Sequence, residues 1–148
     1  MRAGVTATAV LLLVALASAQ SIPAGRLAIF SAEERGAADA RDLAAIRAGL
    51  QSGDEETARA AARAIGRLRR PALAAEILPL LRSRVPEVRA EAAVASAQSL
   101  GVTPPPSLAA RTSVLTALLA RLDVEAEATV RGAIDSTDSP FSTAATKR

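Results

Sequence analysis

Residues 43–100 read LAAIRAGLQSGDEETARAAARAIGRLRR and then PALAAEILPLLRSRVPEVRAEAAVASAQSL. Leu43-Ala44-Ala45 returns as Leu73-Ala74-Ala75, a step of 30 residues. From there the step is 31: Leu50 and Leu81, Ser52 and Ser83, Glu56 and Glu87, Ala61 and Ala92, Ala64 and Ala95. A turn that differs in length by one residue between two copies produces this slip. Each copy holds two helical patterns split by a short polar turn, so the unit is a helical hairpin. A hairpin of that size cannot bury its own apolar face, whereas stacked copies share one continuous core. The expected fold is all-α, an α-solenoid of about three such hairpins behind an N-terminal capping helix.

Pro86-Glu87-Val88-Arg89-Ala90-Glu91-Ala92-Ala93-Val94-Ala95 resembles the opening of a HEAT repeat, in the short bacterial form called HEAT-like or PBS-lyase-like. Glu55-Glu56-Thr57-Ala58-Arg59 through Ala64-Ile65-Gly66 is similar, with Thr57 where valine is usual. The resemblance implies an outer helix A and an inner helix B in each repeat, the B helices lining a concave binding face. It also implies an aspartate in the A–B turn that bonds an arginine of a neighbouring repeat, for which Asp54 and Arg89 are the candidates. A third copy runs from Leu108 to Ile134.

The composition agrees with an all-helical chain. Half of the 148 residues are apolar, mostly alanine and leucine, and only Phe30 and Phe141 are aromatic. This favours helix over sheet. A net charge of +3 without a concentrated basic face gives no case for nucleic acid as a partner. The absence of cysteine excludes disulfides, thiolate zinc sites and thiol nucleophiles.

Residues 1–19 read as a secretory signal. Arg2 is the positive start, Val5 to Ala17 the apolar run, and Ala17-Ser18-Ala19 the small-x-small cleavage site before Gln20. The run stops short of the ~20 apolar residues a membrane span needs, so no stable insertion is expected after cleavage. Residues 20–38 form the capping helix, opened near Pro23 and closed at Gly36, with Leu27 and Phe30 on its apolar side. Residues 39–134 hold the repeats. Asp39 caps helix A1 and Asp54 caps helix B1, whose buried stripe is Thr57, Ala61, Ala64, Ile65 and Leu68, with Ala62 less buried. Helix A2 is expected to kink at Pro79, and B2 to bury Val88, Ala92, Ala95 and Ser99. Beyond Thr103-Pro104-Pro105-Pro106, a helix from Ser107 carries Leu108, Val114, Leu115, Leu118, Leu119 and Leu122, the most apolar segment after the signal. Asp123 caps a last helix that reaches Ile134, and residues 135–148 lack periodicity and read as a disordered tail.

Catalytic chemistry is scarce. Without histidine the commonest general base and metal ligand is missing, and the acidic clusters fall at helix ends, where caps and the helix dipole account for them. No catalytic, cofactor or metal residue is assigned. The one candidate binding feature is Arg59, Arg63 and Arg67, spaced i, i+4, i+8 on B1 opposite Ala61, Ile65 and Leu68, with Glu55 placed to pair with Arg59. Such a stripe is either a solvated polar face, with arginine favoured in the last turn of a helix, or a site for a protein partner with an acidic surface. The functional expectation is a non-catalytic scaffold, exported to the periplasm or beyond. The order of segments, with Arg70-Pro71-Ala72-Leu73 and Pro86 to Ala92 behind a signal, also resembles exported bacterial proteins whose HEAT-like region precedes a cyclophilin-type prolyl isomerase domain. That resemblance implies the alternative of an N-terminal piece of such an enzyme.

Overall fold

The computed structural model describes residues 22–102 and 105–142. The expected signal segment and the last six residues lie outside that range. Among the described residues there are seven α-helices and no strand. They are α1 (Ala24–Glu34), α2 (Ala40–Leu50), α3 (Glu55–Leu68), α4 (Ala74–Ile77), α5 (Pro86–Leu100), α6 (Leu108–Leu122) and α7 (Ala128–Ser142). Short 3-10 segments, Pro71–Leu73 and Leu78–Arg82, flank α4. Helices α3, α5 and α7 pack side by side as one layer, with α3 against α5 the largest contact in the molecule. Helix α2, the broken helix around α4, and α6 form the second layer, and α1 covers the open side of α2 and α3. This is the expected α-solenoid.

Local chemistry sets the helix ends. Asp39 accepts the amide N–H of Asp42 at 2.8 Å, Asp54 that of Thr57 at 2.9 Å, and Ser107 that of Ala110 at 3.3 Å. After α1 the chain turns through two left-handed residues, Gly36 (φ 70) and Ala37 (φ 47). Arg70 holds that turn by donating to the carbonyls of Gly36 (2.8 Å) and Ala37 (3.0 Å). Pro79 does more than kink helix A2. It has no N–H to offer the carbonyl of Ala75, so the α pattern stops at Ile77 and the chain continues as 3-10 turns.

The core is built from small side chains. Ala61, Ala62, Ala64, Ala92, Ala93 and Ala95 are fully buried around Ile29, Ile46, Ile65 and Ile77. Ala62, expected to be less buried, is as inaccessible as Ala61, because α3 is flanked by α1, α2 and α5 and has little free surface. Two glycines let the backbones approach. A Cβ on Gly49 would lie 2.9 Å from the Ala61 methyl, and one on Gly66 would lie 2.9 Å from the Cα of Ala95.

Three expectations change. On α1 the buried residues are Ile29 and Ala32, while Leu27 and Phe30 face solvent, because the helix meets its neighbours with the adjacent face. On α6 only Val114 and Leu118 are buried, and Leu108, Leu115 and Leu119 are exposed. The cause is that α6 packs on the preceding repeat and α7 packs on α5, so the two barely touch each other. Asp123 ends α6 instead of starting α7, which begins at Ala128. Helix α7 then runs past Ile134 to Ser142, burying Val130, Ile134 and Thr137, so the expected tail from residue 135 starts as helix.

Candidate functional site: the face of the B helices

Residues Glu56, Arg59, Arg63 and Arg67 run along the outward side of α3. Glu87, Glu91, Val94 and Gln98 run along the matching side of α5. The arginine stripe is therefore on one surface, but it is not a row of bare charges. Arg59 donates to Glu56 at 2.8 Å on its own helix, in place of the expected Glu55. Arg63 reaches across to Glu91 of α5 at 2.6 Å, and Arg67 reaches back to Glu33 of α1 at 2.9 Å. Two of the three are struts between neighbouring helices. Exposed pairs of this kind contribute little stability individually, about 0–1 kcal/mol. Their larger effect here is to remove net charge from the first half of the surface.

The charge balance changes toward the C-terminal ends of α3 and α5. Here Arg67, Arg69, Val94, Ala97, Gln98, Pro105, Pro106 and Arg111 line a groove of about 730 Å³. Among the described residues no acidic side chain lines it. Arg69 follows the last residue of α3 in the left-handed conformation (φ 48), the usual place of a glycine, and its side chain is exposed. The sequence places Arg69 just beyond the stripe but does not show its conformation, which depends on how α3 ends against Pro71.

A second concavity, about 260 Å³, opens between α6 and α7 and is apolar. Leu108, Leu115, Leu119 and Leu122 line it with Ile134. It is the direct result of the splayed third hairpin. Among the described residues no cluster of three His, Cys, Asp or Glu groups is placed to hold a metal ion, and no helix is long and apolar enough to cross a membrane.

The inter-repeat ladder exists, with different members. Arg89 donates through Nε and Nη2 to both carboxylate oxygens of Glu125, at 2.8 Å each, and through Nη1 to the carbonyls of Ser83 and Arg84. Glu125 lies in the turn between α6 and α7, so an arginine of one B helix holds the A–B turn of the next repeat. Asp54 plays no such part; it caps its own helix and also accepts the Thr57 hydroxyl. By the 31-residue step the first-copy counterpart of Arg89 is Ala58, and the second A–B turn carries Ser83 and Arg84 in place of an acid. Both members of that earlier rung are absent together. The family profile described as HEAT repeats matches residues 43–138. This chain belongs to the HEAT-repeat family. No curated protein and no solved structure matches it, and no finding links it to a cyclophilin-type isomerase. HEAT repeats are generally scaffolds that bind other proteins, and this HEAT-repeat chain stacks its B helices into one layer.

Proposed function

We propose that this chain is an extracytoplasmic HEAT-repeat scaffold that binds a protein with an acidic surface and catalyses nothing itself. The observation that carries the reading is the joined face of α3 and α5, two B helices locked side by side through Gly66, Ala95 and the Arg63–Glu91 strut. A solenoid offers such an extended face for binding. Export rests on the Ala17-Ser18-Ala19 cleavage site, which leaves a chain starting at Gln20 with no stable membrane insertion and no nucleic acid within reach. Of the arginine stripe, Arg67 stands nearest the groove, and it is held there by Glu33. Arg59 and Arg63 present their charge already paired.

A photo-crosslinking residue at Val94, on the B-helix face, is expected to trap a protein partner in the exported fraction. The same residue at exposed Ala44 of α2, in the opposite layer, is expected to trap none. Equal crosslinking from the two positions, or none from Val94, overturns the reading. Intact mass of the exported protein checks the Gln20 start.

A further inference from the structure

We infer that the groove at the C-terminal ends of α3 and α5 binds a short acidic peptide segment of the partner, with Arg69 as its first charge contact. The inference rests on the scaffold reading above and assigns that scaffold a definite subsite and ligand chemistry. Among the described residues no acid lines the groove; Arg67 and Arg111 are already engaged, so the charge it offers a carboxylate is that of Arg69. Glu33 answers Arg67, whereas the side chain of Arg69 has no ionic or hydrogen-bonding partner among the described residues; only its backbone N–H is bonded, to the carbonyl of Gly66. The wall beside it is apolar and shallow, formed by Val94, Ala97 and Pro106, which suits aliphatic side chains between the acids.

Backbone conformation adds a separate argument. An arginine held at φ 48 is strained where glycine would be relaxed. That conformation sets the exposed Arg69 side chain at the groove. A nucleic acid is the poorer fit. The whole molecule has only two phenylalanines and no tyrosine or tryptophan on which bases stack, and the groove carries none of these.

The test uses the purified chain and a fluorescein-labelled peptide that mixes leucine with aspartate and glutamate. Its control replaces each acid with the corresponding amide. Arg69→Gly separates binding from folding, since relief of the left-handed strain is expected to keep or raise the melting temperature. Anisotropy is expected to show the acidic peptide bound, at least about threefold more weakly by Arg69→Gly and again more weakly in high salt, where exposed charges are screened. Arg69→Lys is expected to recover most of the affinity. Arg41→Gln, exposed on α2 in the opposite layer, is expected to leave it unchanged. Three results overturn the inference: no preference for the acidic peptide over its amide control, no effect of Arg69→Gly, or displacement by single-stranded oligothymidine at lower concentration than by unlabelled peptide. A crosslink from Val94 with no acidic-peptide binding removes the subsite and leaves the scaffold standing. Loss of the Val94 crosslink removes the scaffold reading itself.

Discussion

Arg89 and Glu125, 36 residues apart in sequence, meet fork to fork with both contacts at 2.8 Å and side chains only 9% and 2% exposed. The pair joins α5 to the turn that starts the last B helix. Glu125 also accepts from Arg121 Nε at 2.8 Å and from the amide N–H of Glu127 at 3.0 Å, so the buried carboxylate is fully bonded. One rung therefore fixes where the third repeat sits on the second.

Removing one member leaves the other charge buried without its match, which typically costs about 3–5 kcal/mol. Arg89→Gln is expected to lower the urea midpoint by an amount near the lower end of that range. Arg121→Gln, at a more exposed position, should cost under about 1 kcal/mol. Equal losses in the two variants would show that Arg89 is not the buried anchor.

The same rung gives a pH dependence. Hydrogen bonding from Arg89 first of all, against the opposing effect of burial, holds the Glu125 carboxyl down to about 2. Asp42, bonded by Arg35, and Glu76, bonded by Arg47, are also held below their ordinary values. In each case the folded state favours the carboxylate, so the unfolded chain takes up the proton first as pH falls. The stabilisation is complete above the ordinary carboxyl value near 4.5 and is lost progressively as pH falls toward about 2. Thermal melts from pH 7 to 2.5 are expected to stay flat to about pH 5 and then drop. The drop should be smaller in Glu125→Gln.

Two helical glycines should respond oppositely to alanine. In an open helix the change gains about 0.5–1 kcal/mol. Gly132 of α7 has no atom within 4 Å of the new Cβ, so Gly132→Ala is expected to raise the melting temperature. At Gly66 the new Cβ meets the Cα of Ala95 at 2.9 Å, and a backbone atom cannot swing aside. Gly66→Ala should be destabilising, by about 1–3 kcal/mol. A stabilised Gly66→Ala would mean that α3 and α5 cross less closely.

The neighbouring leucines of α6 provide a test of the splayed hairpin. Leu118 is 2% exposed and Leu119 is 48% exposed. Leu118→Ala is expected to cost about 2–5 kcal/mol. Leu119→Gln should cost under about 1 kcal/mol and reduce binding of an apolar dye to the groove between α6 and α7. A large loss from Leu119→Gln would indicate that α7 closes over it.

The sequence by itself determined the repeat, the helical hairpins, the caps at Asp39, Asp54 and Ser107, and the break at Pro79. Each of these is written within a few residues, as apolar spacing, a capping oxygen or a missing N–H. Only the tertiary structure decided which faces are buried and which charges pair. Helix α3 has no single buried stripe, because three helices surround it; α6 leaves leucines in water, because its partner packs elsewhere. Arg89 selected Glu125 over Asp54 because the stacking angle of repeats, set by contacts far apart in the chain, brings the third turn to it. Arg63 and Arg67 became struts for the same reason: periodicity places a side chain on a face, and only packing places something opposite it.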